Sequence, residues 1–203
     1  MMIVRRFQQN FLLVLFIGNA FISCKKGDND PVFSLQTRKA RIANEWIVSF
    51  SEIKIGDTLI VFDGVKETIT FGAIELANIP SSKSYTFEKN GNYTFEVSKT
   101  YPAGYLDSAL GTQTINTLET GIWSFTGGNG DVKNKEQLLL LSNRWERRTE
   151  GFAEVEVKTW EGQNQGLVFN IDMLKSKEMR WIYAINSNTP IGVIKESGTI
   201  EFQ

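Results

Sequence analysis

The chain has 203 residues, 41% hydrophobic and 22% charged, an ordinary globular composition that argues against disorder. Its 22 basic and 23 acidic residues give a net charge of −1; without Arg5 and Arg6 of the leader the balance is 20 to 23, a net of −3, which offers nucleic acid no electrostatic footprint. Histidine is absent and Cys24 is the only cysteine, which excludes Ser-His-Asp and Cys-His catalysis and zinc held by those ligands.

The first predicted element is a leader. Arg5 and Arg6 precede an apolar run from Phe11 to Ile22, and the run ends abruptly at Cys24. A basic stretch, a short apolar core and a small residue are the layout of a secretory signal. The run is too short for a bilayer, which takes roughly 20 apolar residues. Phe21-Ile22-Ser23-Cys24 resembles a bacterial lipobox, in which the cysteine is acylated and becomes the first mature residue. Lys25-Lys26-Gly27-Asp28-Asn29-Asp30 resembles the charged tether of surface-exported lipoproteins in Bacteroidota-type bacteria. The resemblance implies a signal peptide over 1–23, a lipidated tether over 24–34 and one domain over 35–203. It also implies an outer-membrane lipid anchor facing the periplasm or the cell surface. Stable anchoring takes more than one acyl chain, and a cysteine of this type carries several.

Helix is scarce beyond the tether. One short helix is predicted over Ser34–Ala43. Strands follow. Trp46, Val48 and Phe50 alternate, and Thr58–Phe62 and Lys66–Phe71 flank an Asp63-Gly64 turn whose register the pattern leaves open. Ala77–Lys83, with Pro80, reads as a loop. Residues 85–97, YTFEKNGNYTFEV, read as a hairpin. With Gly91 in a left-handed bulge position, Phe87 meets Tyr93 and Tyr85 meets Phe95, pairing aromatics across the strands. Thr100–Thr117 reads as a long loop. Strands are predicted at Ile122–Thr126 and Leu138–Asn143, with Gly127-Gly128-Asn129-Gly130 as a hairpin loop between them. A second bulged hairpin at 146–157 turns at Gly151, setting Trp145 against Val155 and Arg144 against Glu156, with Ala153, Val155 and Val157 toward the core. Leu167–Met173, Met179–Ile185 and Ile194–Phe202 complete the series.

Nine or ten short strands with tight turns predict an all-β fold. A meander that closes on itself removes its exposed edges, so an antiparallel up-and-down β-barrel of about 8–10 strands is expected. NEWIVSF (44–50), YTFEKNGNYTF (85–95), GIWSF (121–125) and LVFNIDMLKSKEMRWIY (167–183) resemble segments of lipocalin-like lipoproteins of Bacteroidota-type bacteria. Trp46 stands where lipocalins carry Gly-x-Trp, although Asn44 and Glu45 precede it; Gly121-Ile122-Trp123 matches that tripeptide in mid-chain. The resemblance implies a late arginine beside the tryptophan, either Arg180 or Arg144.

Such a barrel holds a small apolar or amphipathic ligand, and the candidate lining is Trp46, Phe87, Phe95, Trp123, Trp145, Trp181 and Tyr183. Aromatics that alternate along strands more often form the core. The alternative is a surface-interaction or carbohydrate-binding accessory lipoprotein with a filled core, using Trp160, Tyr101 or Tyr105 to stack on sugars or a partner. No enzyme is expected. Glu154, Glu156 and Asp172 are the carboxylates that glycoside hydrolysis would need, but the two glutamates alternate as a solvated face does. No cofactor or metal is expected, since Asn129 and Asp131 supply too few calcium ligands. The expected partners are a lipid bilayer through acylated Cys24 and a small hydrophobic ligand or glycan, with no nucleic acid and a monomeric barrel. Asp57-Thr58-Leu59 and Asp107-Ser108-Ala109 resemble a Bacteroidota O-glycosylation signal at Thr58 and Ser108.

Overall fold

A computed structural model describes residues 36–127, 136–160, 165–189 and 192–203. The leader, Cys24, the tether and the Gly128-Asn129-Gly130-Asp131 stretch lie outside the described residues. Among the described residues one helix precedes eleven strands: α1 (Arg38–Ile42), β1 (Glu45–Ile55), β2 (Thr58–Phe62), β3 (Lys66–Phe71), β4 (Ile74–Phe87), β5 (Asn92–Tyr101), β6 (Gln113–Thr126), β7 (Gln137–Thr149), β8 (Val155–Thr159), β9 (Gln165–Leu174), β10 (Met179–Thr189) and β11 (Gly192–Phe202). All pairings are antiparallel. Ten strands close into a barrel, so the all-β reading holds.

Two departures from a simple meander shape the barrel. At one end β1 pairs directly with β4, Trp46 opposite Tyr85. At the other end the β2–β3 hairpin is inserted between them, which widens the ring. The second departure is at β8, which pairs only with β7, while β9 pairs with the other half of β7 and with β10. The β9–β10 ladder stops at Asn170 and Ile182 although both strands continue, so a seam opens toward the wide end.

The narrow end is plugged. Thr37 caps α1, its hydroxyl accepting from the Ala40 amide at 3.1 Å. Ile42 is fully buried, the Trp46 indole N–H donates to its carbonyl at 2.9 Å, and Arg41 donates to the Leu174 carbonyl. Above the plug lies an aromatic core of Trp46, Phe87, Tyr93, Trp123, Trp181 and Phe202.

The 85–97 hairpin takes the predicted register, Phe87 opposite Tyr93 and Tyr85 opposite Phe95, with Gly91 at φ 102°. Gly121 answers a different need. A Cβ there would lie 2.2 Å from the Leu141 carbonyl oxygen and 2.7 Å from the Tyr93 ring. The Tyr93 hydroxyl is fixed by Glu119 at 2.6 Å, so the ring has nowhere to go. Gly121→Ala is expected to cost about 3 kcal/mol, the upper end for an overpacked core, read as a fall in urea midpoint at unchanged m.

Several expectations are corrected. The described helix starts at Arg38, capped by Thr37; Ser34, where its start was expected, lies outside the described residues. Ala77–Lys83 is strand, the middle of β4. Pro80 is tolerated because β4 changes partner there: its pairs with β3 end at Pro80, and those with β5 begin at Ser81. The missing N–H therefore breaks no ladder. The long loop shrinks to 102–112, since β5 extends into it through Thr100 and Tyr101 and β6 from Gln113 to Thr117. Phe50 does not continue the Trp46–Val48 face, because a bulge between Val48 and Phe50 shifts the alternation and turns Ser51 inward, 2% exposed.

The second hairpin also differs. Its loop spans 150–154, and Trp145 opposes Lys158, with Arg147 opposite Glu156. The Lys158 ammonium sits 4.7 Å over the Trp145 ring, a contact the expected register would have forbidden. Ala153 and Val157 are exposed and Val155 is half-buried, because β8 is an edge strand with nothing packed over it. Arg144 pairs with Glu146 instead of Glu156.

Candidate functional site

The bulge in β1, the splayed seam and the inserted hairpin together leave space above the aromatic core. A cavity of about 170 Å³ is lined by Val48, Ser51, Ile53, Lys83, Tyr85, Phe95, Leu167, Phe169, Tyr183, Glu196 and Ile200. The walls are mostly aliphatic and aromatic, with few polar groups, the usual character of a small-molecule site. Leu167 is both cavity wall and solvent-exposed, at the seam where β9 has parted from β10. Exposed apolar side chains stand at the hairpin tips and loops of the wide end: Phe71, Ile74, Leu106, Phe152 and Val193.

Three polar features face this space. The Ser51 hydroxyl is buried and has no hydrogen-bond partner. Tyr183 donates its hydroxyl to Glu196 at 2.9 Å, and burial, then that bond, push the phenol well above its ordinary range. The third is a charge cluster. Glu67, 3% exposed, accepts from Lys83 on one oxygen at 2.6 Å and from Lys99 on the other. Burial by itself raises the Glu67 carboxyl, but the two ammonium groups outweigh it and hold it below the usual range. Burial pulls the Lys83 ammonium down, and Glu67 restores only part of that. The Lys83 nitrogen also lies 4.7 Å from the Phe62 ring centre.

The candidate residues separate into three groups. Phe95 and Tyr183 line the cavity. Trp46, Phe87, Trp123 and Trp181 are buried in the aromatic core beneath it, and Trp181 touches the cavity walls Tyr85 and Phe169. Trp145 is half-buried under Lys158, opposite Glu119 on β6, and does not line the cavity. Neither candidate arginine supports Trp46, for Arg180 pairs with Asp172 and Glu201, and Arg144 with Glu146. The buried arginines at the narrow end are Arg38 and Arg41.

A larger groove of about 520 Å³ lies on the outer face across β1, β4, β5, β6 and β7. Its floor is a ladder of outward residues, Ile47–Ser84–Glu96–Leu118–Glu146 and Ser82–Ser98–Asn116–Arg148. Trp160, Tyr101 and Tyr105 lie outside it; Tyr101 and Tyr105 pack on each other at 5.4 Å. Glu154 and Glu156 are exposed, and Asp172 is paired with Arg180. Thr58 is half-buried in β2, whereas Ser108 is exposed in the 102–112 loop. Among the described residues no group of three His, Cys, Asp or Glu is placed to hold a metal, and no helix is long and apolar enough to cross a membrane.

No family model, curated protein or solved structure matches this chain. The functional reading rests on the barrel's own geometry.

Ser51, Glu67, Lys83 and Lys99 did not stand out in the sequence. Lys83 fell in the stretch read as a loop, and Ser51 faces inward only because of the bulge. Glu67 sits in the hairpin whose register was open. A charged residue heading the β-branched run Thr68-Ile69-Thr70 was the one available signal.

Proposed function

We propose that the chain is a membrane-anchored, lipocalin-like lipoprotein that holds a small apolar or amphipathic ligand inside its barrel. The cavity above the aromatic core is the observation that carries this reading. Its size supports a modest ligand: an engineered apolar cavity of about 150 Å³ takes up benzene. The lining is apolar, the unpartnered Ser51 hydroxyl faces inward, and the seam at Leu167 supplies a route from solvent. The role is carriage or sensing, with no chemical step assigned to any residue.

Two measurements test the two halves. Octanol titrated into the chain is expected to change tryptophan fluorescence saturably, because Trp181 packs on cavity walls. A flat or non-saturating response removes the ligand. For the anchor, Cys24→Ser expressed in a host that acylates lipoproteins is expected to move the protein from the detergent phase to the aqueous phase. Unchanged partitioning removes the anchor.

The outer groove favours a second reading, a carbohydrate-binding accessory lipoprotein. Hydroxyl, amide and carboxylate groups from four strands suit a polyol better than an apolar ligand. A saccharide that protects the groove from hydrogen exchange while leaving octanol binding intact would establish it.

A further inference from the structure

We infer that the cavity takes an amphiphile carrying a single negative charge, its head held by Ser51 and Lys83 and its tail in the apolar interior. This rests on the ligand-binding reading above and names the class of ligand.

Charge count comes first. Lys83 and Lys99 share one carboxylate, and each of its oxygens is already taken, one by each ammonium. The cluster therefore carries one surplus positive charge, and its Lys83 and Glu67 members are largely closed to water, with side-chain exposures of 11% and 4% against 27% for Lys99. An ammonium has three donors, and Glu67 occupies one on Lys83. A monoanion neutralises the surplus; a dianion overshoots it.

Placement comes second. Ser51 is the cross-strand partner of Phe62, and the Lys83 nitrogen lies over the Phe62 ring. Hydroxyl and ammonium thus flank one side chain, and both residues line the cavity. The Ser51 hydroxyl, 2% exposed and unpartnered, is free to donate to an anionic oxygen. Leaving such a group unsatisfied is costly, so a ligand that satisfies it gains correspondingly. The acidic group of the cavity, Glu196, is already bonded to Tyr183. Repulsion from it turns an anionic head toward Lys83.

Size comes third. With about 170 Å³ available, the tail is limited to a short chain of about six to eight carbons, by scale with the benzene-sized cavity. Val48, Phe169 and Ile200 form its walls.

Octanoate and octanol differ only in the head, so the pair isolates it. The full chain carrying Cys24→Ser is titrated with each at neutral pH, followed by tryptophan fluorescence. Octanoate is expected to bind about tenfold more tightly than octanol, the size of one charge-assisted hydrogen bond. Lys83→Met, which keeps the stem, is expected to abolish that preference while octanol still binds. Equal affinity for the two in the parent chain overturns the inference and leaves the ligand-binding reading standing. An octanoate preference that survives in folded Lys83→Met overturns it too. Loss of octanol binding in the parent chain removes the underlying reading itself. Should Lys83→Met fail to fold, Ser51→Ala decides. It is expected to weaken octanoate about threefold or more beyond any effect on octanol, and equal weakening of both counts against the head site.

Discussion

Glu67→Leu is expected to destabilise the barrel by about 3–5 kcal/mol, the cost of removing one member of a buried ion cluster. The loss is not that of an ordinary ion pair. Glu67 is the shared counter-ion of Lys83 and Lys99, and its removal leaves two ammonium groups side by side with no carboxylate between them. Lys99 is the more exposed, at 27% against 11%, and can swing toward water; Lys83 cannot. A second substitution therefore rescues the first. Glu67→Leu with Lys83→Met is expected to recover most of the loss, since apolar residues of similar volume replace buried ions at little cost. Urea unfolding of the two single variants and the double measures the coupling.

The same cluster sets an acid limit. The folded Glu67 carboxyl is held below its unfolded value of 4.5, so its stabilisation is complete above that pH. It is lost as pH falls through the folded value, because the unfolded chain then binds the proton more readily. Lys83 moves the same way, downward, but from a much higher starting value. Its folded value lies below 10.5, so stability from that group rises with pH toward the unfolded value. The acid limb therefore belongs to Glu67, while the Lys83 contribution changes only on the alkaline side, as pH approaches 10.5. Glu67→Leu is expected to flatten the loss below about pH 4.5, because the variant has no carboxyl there to protonate. An acid limb unchanged in the variant contradicts the assignment.

Trp181→Ala is expected to cost about 3–5 kcal/mol, in the range for deleting a buried aromatic. Its ring is fully buried and packs against Tyr85, Phe87, Phe169 and Phe202, so it joins strands β4, β9, β10 and β11. The alanine variant leaves a void that these rings cannot collapse into without breaking their own contacts. Trp181→Phe behaves differently. The indole nitrogen is buried and finds no acceptor, so phenylalanine removes volume but also an unsatisfied N–H. Its cost is expected to be less than half that of alanine. A phenylalanine variant as unstable as the alanine variant would show that the nitrogen is satisfied in the folded protein.

The fold was legible where one physical signal dominated. In 85–97 the aromatic pairing and Gly91 agreed, and the register followed. The core positions of β10, from Met179 through Trp181 to Tyr183, alternate cleanly because its register with β11 is unbroken from Met179 to Thr189. Elsewhere tertiary context overrode local pattern. Pro80 looks like a breaker, but β4 places it where no ladder bond is needed. Gly151 signals a turn, but not its length; the Lys158–Trp145 contact and the edge position of β8 decide that. The site was harder to see than the fold for a related reason. Ser51 enters the interior through a one-residue bulge, and a pattern that runs Trp46, Val48, Phe50 points the other way. Lys83 and Glu67 meet across β3 and β4, whose pairing no local spacing specifies.

The central claim is that the ligand sits inside the barrel, and methyl NMR of the chain during octanol titration tests it most directly. Inward methyls of Val48, Ile53, Leu167 and Ile200 are expected to shift together and saturate, while the outward methyls of Ile47, Leu118 and Val157 stay fixed. Shifts confined to Ile47 and Leu118 would place the binding surface in the outer groove and contradict the account, as would an interior that stays unchanged at saturating octanol.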